Sequence, residues 1–140
     1  MASAFACGGD LLALALPINA AAAADSIQVQ TATLVAKGAE VDVTVTFTCP
    51  AGDVVQAGNG VGVSVQEAVG KALASGFGSV GGVTCTGSPQ TVVVQVLAAV
   101  TGPPFKNGVA VANAGFFECD LTTFNCSGAN SGSTTVRITK

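Results

Sequence analysis

Residues 41–49 read Val-Asp-Val-Thr-Val-Thr-Phe-Thr-Cys. Every odd position carries valine, phenylalanine or cysteine, and every even position carries aspartate or threonine. Because successive side chains of a β-strand point to opposite faces of its sheet, this alternation predicts a strand with one buried face and one solvated face. The stretch is the clearest structural signal in the chain, and it favours a β-fold.

The same period of two recurs along the rest of the chain. Turn-forming groups such as Lys37-Gly38 and Asn107-Gly108 separate the apolar stretches. Short strands with regular turns predict an all-β fold, a two-sheet antiparallel immunoglobulin-like sandwich of about seven strands. Residues 66–74 are compatible with a helical turn, a strand or a crossover. The other predicted strands are residues 27–30, 61–66, 79–86, 92–96, 109–119 and 136–139.

The composition excludes several classes of function. Of 140 residues, 49% are hydrophobic and only 9% are charged, and the chain contains no histidine, tryptophan or tyrosine. Catalysis and metal binding by histidine are therefore excluded. The five basic residues are isolated and the net charge is −3, whereas nucleic-acid binding needs a clustered basic face. We expect no enzymatic activity, no metal, no cofactor and no nucleic-acid partner.

The first 24 residues differ from the rest of the chain. Residues 11–16 form a short apolar run, Pro17 interrupts it, and small alanines follow at residues 20–24. This pattern predicts a signal peptide over residues 1–24, followed by a single β-sandwich domain over residues 25–140. The apolar run is shorter than the roughly 20 residues of a membrane span, so we expect a secreted or cell-surface protein with no membrane span.

Four cysteines remain once Cys7 is assigned to the signal peptide, and four cysteines allow three pairings. Cys119 and Cys126 flank a short polar segment, so they can close a small loop at the end of a strand. That leaves Cys49 to pair with Cys85. A four-thiolate zinc site is the alternative, but its cysteines come in pairs separated by about two to four residues, unlike these. Two disulfides are favoured, and they suit an oxidising compartment outside the cytoplasm.

Two further patterns could indicate chemistry. Residues 76–81 match the dinucleotide pattern G-x-G-x-x-G by letter, but strand-like residues follow where a helix is required, so a glycine hairpin is predicted instead. Glu40 with Asp42, and Glu118 with Asp120, are spaced to lie on one face of a strand. Glycosidase chemistry needs two carboxylates on opposite sides of a cleft, so we expect these acids to be solvated sheet surface.

The phenylalanines are the candidate binding residues. Phe117 shares the parity of the valines and cysteines, which predicts a core position, whereas Phe116 points the opposite way. Phe77, Phe105 and Phe124 lie in or beside predicted loops. Aromatic side chains at such places build binding surfaces or plug the open ends of a small core. We take Phe77, Phe105, Phe116 and Phe124 as a possible binding surface, with end plugs as the alternative.

Several longer stretches resemble a known group of proteins. VTVTFTCPAG (43–52), GVTCTGSPQT (82–91) and PFKNG (104–108) ahead of FECD (117–120) are similar to small secreted β-sandwich proteins of actinobacteria. The resemblance spans nearly all of residues 26–140. It implies an exported immunoglobulin-like fold, and because the group has no assigned activity it implies no mechanism.

A weaker likeness is to apoproteins of the neocarzinostatin type, which are exported, acidic seven-stranded sandwiches with two disulfides and which carry a small apolar chromophore. The short loop from Cys119 to Cys126 resembles one of theirs. Their other bridge also closes a short loop, whereas a bridge from Cys49 to Cys85 closes a long one. No binding residues are carried over from this likeness.

The expected function is therefore that of a non-catalytic, exported interaction or cell-surface module that binds a protein or a cell-envelope partner. One alternative is a carrier of a small apolar ligand, held in a cleft lined by Phe77, Phe105 or Phe124. Another is a self-assembling extracellular subunit, in which the N-terminal strand Ser26–Val35 pairs with an open edge of a second copy.

Overall fold

The computed structural model describes residues 24–56 and 60–140. The predicted signal peptide, except for its last residue, lies outside the described residues. A short 3₁₀ turn, Ala36–Gly38, joins the first two strands. The strands of the described residues are β1 (Ser26–Val35), β2 (Glu40–Thr48), β3 (Val54–Val55), β4 (Val61–Val69), β5 (Ala72–Val80), β6 (Gln90–Ala98), β7 (Gly108–Cys119), β8 (Cys126–Asn130) and β9 (Thr134–Thr139).

Seven of these strands close into a barrel. Their order around it is β7, β4, β5, β6, β2, β1 and β9, and β9 pairs with β7 to complete the ring. The short strands β3 and β8 flank the far end of β7, where that strand extends beyond the ring. The predicted all-β class is confirmed. The predicted arrangement in two separate antiparallel sheets is not what the pairing shows, because the ring is continuous and β1 runs parallel to β9.

Two junctions in the ring are much shorter than the others. β5 meets β6 through the pairs Gly76 with Ala98 and Phe77 with Leu97, and β1 meets β9 through two pairs beginning at Ala32. Glycine allows the close approach of β5 to β6, because a Cβ atom on Gly78 would overlap the carbonyl oxygen of Gln95. β5 and β6 thus approach closely where β5 lacks side chains, and longer ladders join most of the other neighbours in the ring.

The core lies inside the ring and follows the alternation seen in the sequence. Val41, Val43, Val45 and Phe47 of β2 are fully buried, while the residues between them are partly exposed. The ring centroid of Phe47 lies 5.4 Å from that of Phe116 on β7, in a tilted arrangement that suits aromatic pairs. The residues 41–49 that predicted a strand therefore form one wall of the core.

The inner face of β7 is the opposite of the predicted one. Ala110, Ala112, Ala114 and Phe116 are buried, whereas Phe117 is 51% exposed. The prediction of Phe117 as a core residue is wrong, and the outward direction predicted for Phe116 is wrong as well. Alanine and valine are both apolar, so their alternation in residues 109–112 does not show which set faces inward. The small alanines occupy the inner side, opposite the valines of the neighbouring strands.

Two other segments differ from the sequence-based expectation. Residues 66–74 form neither a helical turn nor a crossover but a hairpin in which β4 turns into β5 at Gly70, which has a positive φ of 62°. The strand predicted over residues 79–86 is mostly absent, because β5 ends at Val80 and only Thr84 makes an isolated bridge, with Val54. The seventh ring strand therefore comes from residues 72–80.

Both predicted disulfides are present. Cys49 is bonded to Cys85 with a Cα–Cα distance of 5.4 Å, and Cys119 to Cys126 with a Cα–Cα distance of 4.0 Å. The first bridge is buried and joins the end of β2 to the segment between β5 and β6. The second joins β7 to β8. The alternative of a four-thiolate zinc site is wrong, because all four sulfur atoms are used in these bonds.

Candidate functional site

The candidate site lies on the outer face of β5, β4 and β7. The outward residues of β4 are Gly62, Ser64, Gln66 and Ala68, which are small or polar. On either side stand larger apolar side chains that are exposed to solvent. Those of β5 and β6 are Leu73, Phe77 and Leu97, and those of β7 are Val109, Val111 and Phe117. The outer face is therefore a valley of small residues between two apolar ridges.

At one end the valley deepens into a groove of about 380 Å³. Gly62 and Gly115 pair directly across β4 and β7 and form part of its floor. The ring of Phe77 lies over Gly62, and the side-chain amide of Asn130 lies over Gly115, each about 3.1 Å from where a Cβ atom would stand. The lining residues are Gly62, Ser64, Phe77, Asn113, Gly115, Phe116, Phe117, Ala129 and Asn130.

The chemistry of this groove is aromatic and neutral. Phe77 and Phe117 provide two exposed rings, and Asn113, Asn130 and Ser64 provide amide and hydroxyl groups. None of the described residues that line the groove is acidic or basic. Such a surface can pack on apolar or carbohydrate C–H groups and can donate or accept hydrogen bonds, but it offers no group for proton transfer at neutral pH.

The four predicted binding residues do not form one surface in the structure. Phe77 is 65% exposed and lies in the groove, on β5 and not in a loop. Phe116 lies beneath the groove and packs inward. Phe105 is buried, and its backbone N–H donates to the carbonyl oxygen of Gly38, so Phe105 behaves as the predicted alternative, a plug of the core. Phe124 is exposed in the loop between the bridged Cys119 and Cys126 and is not among the residues that line the groove. Sequence reasoning missed Phe117 because its parity on β7 was misassigned.

The other motifs form no site with the groove. Residues 76–81 lie along β5 and beyond its end, and no helix follows them among the described residues, so the dinucleotide pattern has no pyrophosphate-binding helix. Glu40 and Asp42 are half-buried on β2, where burial and the neighbouring Asp42 raise the pKa of Glu40. The prediction that Glu118 is solvated is wrong, because only 1% of this residue is exposed.

Within residues 24–56 and 60–140, no group of three or more acidic, cysteine or histidine side chains is arranged to hold a metal ion. No helix in this part of the chain is long and apolar enough to span a membrane. No protein family, curated protein or solved structure matches the chain.

Proposed function

We propose that the protein is a non-catalytic, exported binding module that uses the groove between Phe77 and Phe117 to contact an uncharged region of a protein or a cell-envelope partner. The observation that carries this proposal is the groove itself, in which two exposed aromatic rings flank a glycine floor and neutral amides. Exposed aromatic side chains around hydrogen-bonding groups are the usual anchors of protein recognition surfaces.

The surroundings of the groove also support binding of an extended partner. The apolar ridges continue beyond it along β5 and β7, where Leu73 and Val109 are each more than half exposed. Monomeric proteins rarely leave contiguous apolar surface in water without a use for it. The groove is open along the valley of β4, so a chain or polymer can lie along it without either end being enclosed.

The proposed location rests on the disulfides, and the proposed finer classification of the fold rests on the short junctions of the ring. Two disulfides suit an environment outside the cytoplasm. The short junctions between β5 and β6 and between β1 and β9 favour a flattened ring, with β1, β2 and β6 in one layer and β5, β4, β7 and β9 in the other. This division into two layers is that of the immunoglobulin-like sandwich expected from the resemblance to small secreted actinobacterial proteins.

A binding experiment with two matched variants tests the proposal. Phe77→Ser removes a groove ring, and Phe124→Ser removes a still more exposed ring that does not line the groove. The wild-type protein and both variants are incubated with isolated cell-wall material and, separately, immobilised for capture from culture supernatant. We expect at least one of these fractions to bind Phe77→Ser tenfold or more weakly than the wild type, and to bind Phe124→Ser as well as the wild type. Equal retention of all three proteins would refute a role for the groove.

The volume of the groove favours one second candidate, a carrier of a small apolar ligand. At about 380 Å³ the groove lies at the lower end of the size range of small-molecule sites, which begins near 300 Å³. Native mass spectrometry of the protein purified from its own host distinguishes the two functions. A bound molecule that is present in the wild type and Phe124→Ser but missing from Phe77→Ser would favour the carrier.

A further inference from the structure

Three carboxyl groups from distant parts of the sequence meet beside the short bridge of Cys119 and Cys126. Asp25 immediately precedes β1, Asp53 immediately precedes β3, and Glu118 is the penultimate residue of β7. β3 and β8 both pair with this end of β7, with Val55 opposite Glu118 on one side and Ser127 opposite it on the other. The cluster therefore lies where the first strand, β3 and the β7–β8 hairpin come together.

The hydroxyl of Ser127 joins two of these carboxyl groups. Its Oγ atom lies 2.6 Å from Oδ2 of Asp25 and 2.6 Å from Oε1 of Glu118. A hydroxyl group carries one proton, so it can donate to only one carboxylate at a time. The second hydrogen bond then requires a carboxyl group that is itself protonated and donates to the serine oxygen. The observed bridge thus holds at least one proton on Asp25 or Glu118.

Burial identifies Glu118 as the group that needs this proton. It is 99% buried by residue, and its Oε2 atom has no hydrogen-bond donor among the described residues. Oδ1 of Asp25 is buried and unpartnered in the same way. The charged and titratable groups that face Glu118 are Asp25 before β1 and Asp53 before β3, while β8 contributes the neutral Ser127. An ionised Glu118 would be desolvated beside two other carboxylates, which is costly.

We propose that Glu118, with Asp25 and Asp53 beside it, forms a proton-binding latch that fastens the start of β1 to the β7–β8 hairpin when Glu118 is protonated, and that loosens when its proton is lost. The pairing of the strands shows why a fastening is needed there. β1 pairs with β9 only from Ala32 onward, so the Ser127–Asp25 hydrogen bond spans the gap that remains between the first residues of β1 and the hairpin. Losing that bond would free the start of β1 on this side.

The electrostatics support a transition near neutral pH. Burial raises the pKa of Glu118 to about 7, the hydrogen bond from Ser127 opposes this rise, and Asp53 and Asp25 add to it. The ordinary pKa of a glutamate is 4.5. Below that value both the folded and the unfolded chain hold the proton. Between 4.5 and about 7 only the folded chain holds it, so stability falls as the pH rises, and the loss is complete above about 7.

Denaturation at several pH values tests the latch. Urea unfolding of the wild type, Glu118→Gln and Glu67→Gln is measured from pH 4.5 to 8.5. Glu67 is a second buried glutamate, which accepts a hydrogen bond from the backbone of Lys106 and lies outside the cluster. Glutamine keeps the shape and can donate a hydrogen bond at every pH, so it mimics the protonated latch.

We expect the unfolding constant of the wild type and of Glu67→Gln to rise by about 150-fold more across this range than that of Glu118→Gln, since half of the unfolded chains have already lost this proton at pH 4.5. Parallel pH profiles for the wild type and Glu118→Gln would overturn the latch. A direct measurement covers the case in which a variant fails to fold. The carboxyl carbon of Glu118 in the wild type, followed by NMR, is expected to titrate near pH 7, and a midpoint at the ordinary value of 4.5 would overturn the latch equally.

Discussion

Replacing Cys49 and Cys85 together by alanine should destabilise the protein more than replacing Cys119 and Cys126 together. Each double replacement removes one covalent bridge and leaves the other in place. The two bridges differ in the length of chain that they close, 36 residues in the first case and 7 in the second. The pair of variants therefore compares a long loop with a short one in a single fold.

The magnitude follows from the freedom that each bridge removes from the unfolded chain. A closed loop of 36 residues restricts the unfolded ensemble by about 3.8 kcal/mol at 25 °C, and a loop of 7 residues by about 2.4 kcal/mol. Packing in the native state should increase this difference in stability between the two variants. Cys49 and Cys85 are both buried, so alanine leaves unfilled space there, whereas Cys126 is exposed. We expect the long-loop variant to lose at least about 1.5 kcal/mol more than the short-loop variant.

Urea unfolding at constant pH, followed by circular dichroism in the far ultraviolet, measures both losses. A chain of this size is expected to unfold in one cooperative transition, so the free energy of unfolding in water can be extrapolated for each protein. A thiol assay on the folded variants confirms that the remaining bridge is intact. If the short-loop variant lost as much stability as the long-loop variant, the argument from loop length would be refuted.

Two other substitutions test the packing described above. Gly78→Ala should destabilise the fold by roughly 1 to 3 kcal/mol, because the new Cβ atom would overlap the carbonyl oxygen of Gln95 on β6. The control Ser79→Ala, on the same strand, should change the free energy of unfolding by less than about 0.5 kcal/mol. Phe105→Ala should lower the free energy of unfolding by about 3 to 5 kcal/mol, since this side chain is fully buried. A loss below about 1 kcal/mol in thermal unfolding, as expected for a surface residue, would contradict its role in the core.

Strand content and disulfide pairing could be predicted from the sequence because each has a local signal. The alternation in residues 41–49 marks a strand whatever its neighbours are, and the short polar segment between Cys119 and Cys126 restricts their pairing. Closure of the ring has no local signal. It depends on β9 reaching both β1 and β7, which lie far apart in the sequence.

The groove was predicted only in part, for a reason that concerns β7. The sequence identifies Phe77 as a candidate but assigns Phe117 to the core, because Phe117 shares the parity of the valines and of Cys119. The polar Asn113, which has the same parity, is the one signal that this face of β7 points outward. The burial of Glu118 could not be predicted from the sequence either. A carboxylate in a strand is normally solvated, and its burial here follows from β3 and β8 covering the end of β7 from both sides. Neither short strand carries enough residues to be recognised from periodicity.

Among the described strands, β9 comes latest in the sequence and completes the ring. β9 occupies residues 134–139 of 140, and until it is in place β1 and β7 each expose a row of unpaired backbone groups. Synthesis proceeds from the N-terminus, so a nascent chain cannot close the ring before residues 134–139 have left the ribosome. Closure is therefore a late step, which waits until all of residues 26–139 are available for pairing.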